Sequence, residues 1–227
     1  MSNSFRTTNS NGLINKDKKI NFTFNGTIYH VYEGDTLASA LIANGVHLVG
    51  RSFKYHRPRG FLGVGVEEPN AMVQLHDGNK SEPNIIATEV ELVEGLKAKS
   101  QNCWPSVQFD IGEINNVLNR FFPAGFYYKT FMWPKSFWMK IYEPFIRKAA
   151  GMGKAPLLPD PDRYEHNYEH CDVLVVGSGP SGLASALAAA KNGARVILAE
   201  DKPNFGGSLL TDEVTIGNMS GKEWASD

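Results

Sequence analysis

The amino-acid sequence predicts a chain of two fold classes, α+β in its N-terminal part and α/β in its C-terminal part. Three patterns lead to this prediction. Residues 20–32 alternate apolar and polar side chains around an Asn-Gly pair, residues 121–145 are densely aromatic, and an apolar run at 173–176 leads directly into GSGPSG. We therefore expect a small sheet-and-helix domain, an aromatic-rich connecting segment, and the first part of a parallel-stranded domain.

The first elements are a hairpin and a short helix. The Asn-Gly pair at 25–26 tolerates positive φ at both central positions of a type I′ turn, so it joins two strands within residues 20–32. Polar residues at 35–36 can cap the helix that follows, and Gly45 can end it. The periodicity therefore predicts a β-hairpin followed by a short amphipathic helix.

Further strands complete the order of elements that is typical of a β-grasp domain. Short apolar runs at 71–75 and 85–93 predict these strands. We expect residues 20–100 to form this domain. Residues 1–19 are rich in Asn, Ser, Thr and Lys and lack an apolar stretch of signal-peptide length. We expect them to form a flexible arm.

A basic, glycine-rich loop separates the helix from the later strands. Charge runs are usually solvated surface, but here Phe53 and Tyr55 interleave with the basic side chains and three glycines follow. We therefore favour a loop that packs closely against another surface. Its basic residues are Arg51, Lys54, Arg57 and Arg59.

Residues 101–170 are predicted to connect the two domains. Eleven of the 25 residues at 121–145 are aromatic, and three prolines interrupt them, which predicts two or three short helical pieces. Two interpretations stay open: the rings fill a seam between the flanking domains, or they form a surface that docks a partner subunit. The charged, proline-rich residues 154–170 predict a linker.

The strongest motif begins at residue 171. The apolar strand at 173–176 leads into a GxGxxG sequence, in which Gly177 permits a tight turn and Gly179 lets the backbone approach a pyrophosphate. Gly182 allows the next helix to pack closely on the strand. The sequence therefore predicts a Rossmann-type FAD/NAD(P)-binding unit, with the anion at the helix N-terminus.

An acidic residue follows at the spacing that this motif requires. A second strand is expected at 195–199, and Glu200 ends it 18 residues after Gly182. Its carboxylate can accept hydrogen bonds from ribose hydroxyls and would repel a 2′-phosphate, which favours NAD or FAD over NADP. Only 57 residues, 171–227, are available for a domain that needs several more strands, so we expect an incomplete domain in a truncated chain.

Composition excludes other classes of protein. The chain of 227 residues has 23 Lys and Arg against 24 Asp and Glu, a net charge of −1, which argues against a nucleic-acid partner. Cys103 and Cys171 lack the spacing of a disulfide scaffold or a zinc site and fit a cytoplasmic setting. The six histidines show no metal-ligand pattern, and no catalytic residue can be assigned. The sequence contains no run of about 18 apolar residues, so it does not predict a membrane-spanning helix.

Several motifs together resemble the N-terminal part of the α subunit of heterotetrameric sarcosine oxidase. The resemblance covers nearly the whole chain from about residue 20, and the motifs that carry it are KYHRPRG, EEPNAMV, NCWPS, FPAGFYYKTFMWPKSFW, YEPFIRKAAG, HCDVLVVGSGPSGLA and GGSLL. The resemblance implies that the β-grasp domain is ferredoxin-like. Relatives that keep an iron–sulfur cluster hold it with cysteines of the loop after the helix, but none occurs between Gly45 and Asn70, so we expect no cluster here.

The resemblance also implies an activity. Such a complex demethylates sarcosine oxidatively to glycine, forms hydrogen peroxide and transfers the one-carbon unit to tetrahydrofolate. The α subunit would bind NAD, alternatively FAD, and would assemble with β, γ and δ subunits, of which β mainly carries FAD and FMN. A subunit of a related opine, proline or amine dehydrogenase and a non-catalytic dinucleotide-binding scaffold are the alternatives.

The family's dinucleotide site transfers onto the matching residues of this chain. The glycine-rich turn would face the pyrophosphate, the acidic residues after the second strand would face the adenosine ribose, and the remainder would lie nearby. The predicted site residues are Gly177, Ser178, Gly179, Pro180, Ser181, Gly182, Glu200, Asp201, Lys202, Gly207 and Ser208.

Overall fold

The computed structural model describes residues 5–6, 14–122, 125, 131–149 and 153–227. The chain divides into two compact units. The described part of the first unit ends at Pro161, and the second unit includes Asp162–Asp227. Among the described residues, every helix is too short or too polar to traverse a lipid bilayer.

The first unit is built on a five-stranded mixed sheet. The described part of the unit has seven strands: β1 (Asn15–Phe24), β2 (Thr27–Glu33), β3 (Gly50–Arg51), β4 (Pro58–Arg59), β5 (Met72–Leu75), β6 (Glu82–Ile86) and β7 (Lys97–Ser100). The sheet order is β2-β1-β7-β5-β6, while β3 and β4 pair separately. The central pair, β1 and β7, is parallel and the other pairs are antiparallel, as in a β-grasp fold.

The structure confirms the hairpin and its turn. Asn25 and Gly26 both have positive φ, 51° and 82°, as a type I′ turn requires. Strand β1 begins at Asn15 and therefore includes the last residues of the predicted arm. Earlier in that arm, Phe5 donates a backbone bond of 3.0 Å to the carbonyl of Ala43. The remaining arm residues, 1–4 and 7–13, lie outside the described part of the chain.

Helix α1 (Leu37–Ala43) is capped as expected. Thr36 and Ser39 form a reciprocal capping box, and Gly45 has a φ of +75° just after the helix. The apolar face of α1 packs on the sheet in the core of this unit. That core is formed by Ile20, Phe22, Phe24, Val31, Leu37, Ala38, Ala40, Leu41, Val49, Ala71, Val73, Leu75, Ala87, Val90, Leu92, Leu96 and Ala98.

The later strands follow the prediction in part. The expected strand at 71–75 is confirmed as β5, but that at 85–93 is wrong beyond Ile86. Downstream of β6, the backbone of Val90 accepts a bond from Leu37 and that of Leu92 donates one to Asp35, so this segment pairs with the start of α1. Apolar residues here are buried without entering the sheet, which is why periodicity misassigned them.

The basic loop is packed closely, as favoured from the sequence, and the surface that it contacts belongs to its own unit. Arg51 is buried and hydrogen-bonds to residues 107–113, and the Tyr55 hydroxyl donates to the carbonyl of Phe122. A Cβ on Gly60 would lie 2.3 Å from the backbone oxygen of His47. The loop is therefore an internal contact that needs a small residue at this point.

Glu68 organises the end of the same loop. Its side chain is buried, and its two carboxylate oxygens accept four backbone N–H bonds of 2.6–3.2 Å. Burial raises the pKa of this carboxyl, but the bonds from Gly63, Leu62, Asn70 and Ala71 outweigh it and lower the pKa below 4.5. Glu68 thus stabilises the folded state as an anion.

We expect Glu68→Gln to reduce the free energy of unfolding by about 2 kcal/mol at pH 7, because two N–H donors lose their acceptor. The lowered pKa makes this contribution complete above about pH 4.5 and lost as the pH falls through the folded-state value. The difference from wild type should therefore shrink below pH 4.5 in urea denaturation. Glu67→Gln, at an exposed neighbour, is the control. A pH-independent difference would contradict the prediction.

The connector contains short helical pieces, as predicted. Among the described residues they are α2 (Ile114–Val117), α3 (Glu143–Ala149), a π-helical turn at Trp138–Tyr142, and 3₁₀ turns at Ile111–Glu113, Asn119–Phe121 and Lys135–Phe137. Its aromatic residues at 126–128 lie outside the described residues. The linker predicted at 154–170 has no helix or strand.

The second unit contains one strand-helix-strand element. Strands β8 (Val173–Val176) and β9 (Val196–Ala199) are parallel, and α4 (Pro180–Lys191) connects them. A small hairpin of β10 (Thr215–Ile216) and β11 (Met219–Ser220) leads into α5 (Gly221–Ser226). The two strands and the helix predicted from the motif are confirmed.

Candidate functional site

The turn from β8 into α4 presents backbone N–H groups at the start of a twelve-residue helix. Gly177 has a φ of +93° and Gly179 is the N-cap. The first helical bond runs from the N–H of Leu183 to the carbonyl of Gly179, at 2.9 Å, so the N–H groups of Ser181 and Gly182 have no partner within the helix. This end of α4 therefore suits an anion.

Gly177 and Gly182 have the conformation and the close packing that the motif predicts. A Cβ on Gly182 would lie 2.0 Å from the backbone oxygen of Gly177, so only glycine lets the helix approach the strand. A Cβ on Gly177 or Gly179 would meet nothing within 4 Å. The space that a Cβ would occupy beside each of these two residues is therefore open.

Glu200 lies directly behind this turn. Its Oε2 accepts a bond of 2.6 Å from the N–H of Ser178 and a bond from the Ser178 hydroxyl. Its Oε1 accepts bonds from the N–H groups of Asp201 and Lys202, at 2.9 and 3.0 Å. These bonds lower the pKa of Glu200 from 4.5 to about 2. The bond from the Ser178 hydroxyl is the largest cause, and the bonds from the backbone N–H groups follow.

A third segment joins the turn. Gly206 donates a backbone bond of 3.0 Å to the carbonyl of Ser178, and a Cβ on Gly207 would lie 2.9 Å from the Cα of Gly179. Gly206 was missed from the sequence, although the Gly-Gly pair and its φ of +124° mark a close backbone approach. Three segments therefore meet at the start of α4.

The predicted residues are distributed unevenly around this site. The six residues of GSGPSG, Glu200 and Gly207 are brought together, whereas Asp201 and Lys202 contribute backbone N–H groups and have exposed side chains. Ser208 is exposed in the 3₁₀ turn Gly207–Leu210, and its carbonyl accepts bonds from residues 211 and 212.

Comparison with known proteins identifies relatives of both parts. Residues 17–103 match the family model described as a 2Fe-2S iron-sulfur cluster binding domain, and residues 172–224 match that of FAD dependent oxidoreductases. The chain is 56% identical over 95% of its length to sarcosine oxidase subunit alpha of Rhizobium meliloti (strain 1021). It is 33% identical over 86% of its length to sarcosine oxidase subunit alpha of Corynebacterium sp. (strain U-96). These matches confirm the resemblance inferred from the motifs.

The chain spans 22% of the Rhizobium relative and 16% of the Corynebacterium relative. A solved structure of L-proline dehydrogenase from P. horikoshii aligns with 96% of this chain and 31% of that chain, at 18% identity and a TM-score of 0.46. That similarity is too low to bear on fold or function.

The match of the N-terminal domain corrects one expectation. We expected no iron–sulfur cluster, but the family that residues 17–103 match is described by its 2Fe-2S cluster. Such clusters are held by cysteine thiolates, in some sites with histidines. The matched range contains one cysteine, Cys103, whose pKa is raised by burial and by Asp110. The described residues hold no group of three or more His, Cys, Asp and Glu that suits a metal ion. This donor set does not fit the cluster.

Proposed function

Because this chain is similar over 86–95% of its length to α subunits of sarcosine oxidase, we propose that it is part of such a subunit and binds NAD through its second unit. The carrying observation is the open space at the start of α4, with Glu200 held behind it. An anion and a ribose are the two neighbouring groups that such a site accommodates.

Each part of the site has a distinct task. The N–H groups of Ser181 and Gly182 bind the pyrophosphate, and the glycines at 177 and 179 leave room for it. Glu200 accepts hydrogen bonds from the ribose hydroxyls, and the Asp201 carboxylate lies beside it. A bound NAD supplies hydride-transfer chemistry, but these residues themselves bind and orient only.

FAD is the second candidate ligand. The match of residues 172–224 to FAD dependent oxidoreductases favours it, because both cofactors share the adenosine diphosphate group that this site would bind. Extraction of the purified complex followed by chromatography of the released nucleotide distinguishes the two. Recovery of neither would contradict the proposal.

We expect Glu200→Ala to weaken dinucleotide binding by about 10- to 100-fold, because charge-assisted hydrogen bonds to the ribose are lost. Isothermal titration calorimetry of the complete complex, freed of nucleotide, measures this. Glu213→Ala, at an exposed carboxylate of the same unit, is the control and should leave affinity unchanged. Equal affinities of the wild type and the Glu200 variant would show that the ribose lies elsewhere.

At the level of the whole assembly, we propose oxidation of sarcosine to glycine with release of hydrogen peroxide and transfer of the one-carbon unit to tetrahydrofolate, in a cytoplasmic complex with β, γ and δ subunits. The support is the identity to the α subunits of sarcosine oxidase. Assays of the complex with sarcosine, proline and opines test this. A preference for proline or opines would favour the related dehydrogenases. If none of these substrates is turned over, the result would favour a non-catalytic binding scaffold.

The exposed apolar side chains of the connector support a subunit-docking surface. Trp133, Met139 and Phe145 are 83%, 71% and 67% exposed, and the Tyr142 hydroxyl donates to the carbonyl of Trp133. Large exposed apolar patches mark interaction sites in folded proteins. We propose that this surface, defined by these three residues, contacts a partner subunit.

We expect the complete α subunit, purified alone, to self-associate through this surface, and Met139→Lys to reduce that association and to weaken assembly with the partner subunits. Sedimentation velocity measures both. Leu157→Lys, at a fully exposed residue of the linker, is the matched control. If the wild-type subunit is monomeric alone, or if both variants behave alike, these side chains do not form a docking surface.

A further inference from the structure

Ser178 occupies the second position of GSGPSG and is fully buried. The sequence places Ser178 among the predicted site residues but assigns its side chain no role. In the structure its hydroxyl instead donates to Oε2 of Glu200, and its carbonyl accepts the N–H of Gly206. Ser178 therefore connects the turn, the end of β9 and the Gly-Gly segment.

The hydroxyl differs from the other donors to Glu200. Three of the four bonds to this carboxylate come from the N–H groups of Ser178, Asp201 and Lys202, which almost any residue would supply. The fourth comes from the Ser178 side chain and depends on the residue type. With the hydroxyl, each carboxylate oxygen accepts two bonds, and the four bonds together hold the group in one orientation and keep it ionised.

We propose that Ser178 positions Glu200 for the adenosine ribose and thereby makes the site selective for a dinucleotide without a 2′-phosphate. This inference rests on the proposed function. Fixed negative charge beside the ribose attracts the two hydroxyls and repels a phosphate at the 2′ position. Without the hydroxyl, Glu200 keeps one bond at Oε2, and its carboxylate can turn toward solvent when a phosphate approaches.

The test compares Ser178→Ala, Ser178→Thr and wild type in the complete complex. We expect Ser178→Ala to lower NAD affinity by about three- to ten-fold and to narrow the preference for NAD over NADP by about ten-fold. In a ¹³C NMR titration, the pKa of Glu200 should rise from about 2 toward 4.5. Ser178→Thr keeps a hydroxyl and should therefore keep the wild-type NAD affinity, the preference for NAD over NADP and the pKa of Glu200. Ser185→Ala, which loses a bond from its hydroxyl to the carbonyl of Ser181, is the control.

The outcomes separate this inference from the proposed function. An unchanged Glu200 titration in Ser178→Ala overturns the inference whether or not nucleotide binds. An altered titration with an unchanged preference for NAD over NADP also overturns it, because the bond then has no role in selectivity. If wild type binds neither nucleotide, the proposed function fails and selectivity with it, while the titration still decides whether Ser178 controls Glu200.

Discussion

Gly182→Ala is expected to disrupt the turn between β8 and α4 and to abolish dinucleotide binding. The added Cβ would lie 2.0 Å from the backbone oxygen of Gly177 and 3.0 Å from its carbonyl carbon. A Cβ has no rotamer by which to avoid the contact, and the obstacle is backbone. The strand and the helix must therefore separate, and we expect a loss of about 3 kcal/mol in the free energy of unfolding.

Gly179→Ala is the matched control within the same turn. Its Cβ would meet nothing within 4 Å, and its φ of −64° suits alanine. This variant should melt like wild type in differential scanning calorimetry but bind dinucleotide more weakly, because the methyl group occupies the space open to the pyrophosphate. Wild-type melting and affinity in Gly182→Ala would contradict the assigned packing role.

The elements of the second unit could be predicted because their signals are local. The apolar run of β8, the GSGPSG turn and the acidic residue after β9 each require only a short stretch of sequence. The bond between Ser178 and Glu200 could not be predicted, because the two residues are 22 positions apart and meet only once the turn has closed. The bond from the N–H of Gly206 to the carbonyl of Ser178 likewise joins residues that are distant in the sequence.

The first unit shows the same division between local and distant signals. The turn at Asn25 was predicted from a short stretch of sequence, and the cap was predicted at Asp35 or Thr36, of which the structure has Thr36. Strand β7 reads KAKS, with one buried residue, Ala98, and its parallel pairing with β1 joins positions more than 70 apart. Neither composition nor periodicity marks such a strand, because it has too few apolar residues to show an alternation.

Arg51 was interpreted from the sequence as part of a basic loop, yet its buried side chain donates four hydrogen bonds. Its Nε donates to the carbonyl of Val107 at 2.9 Å, and its Nη2 donates to that of Gln108 at 3.2 Å. Its Nη1 donates to the carbonyl of His56 at 3.0 Å and to Oε2 of Glu113 at 3.1 Å. A planar guanidinium can reach four acceptors at once, which an ammonium group cannot.

Arg51→Met is accordingly expected to lower the free energy of unfolding by about 3–5 kcal/mol. The buried carbonyl groups that accept hydrogen bonds from Arg51 would lose their donor. Glu113→Ala removes only the exposed partner and should cost less than about 1 kcal/mol. Arg51→Lys keeps the charge but not the fork of donors and should fall between them. Chemical denaturation of the three variants measures these differences. If Arg51→Met costs no more than Glu113→Ala, the backbone carbonyls are satisfied without Arg51, and the loop is held by its other contacts.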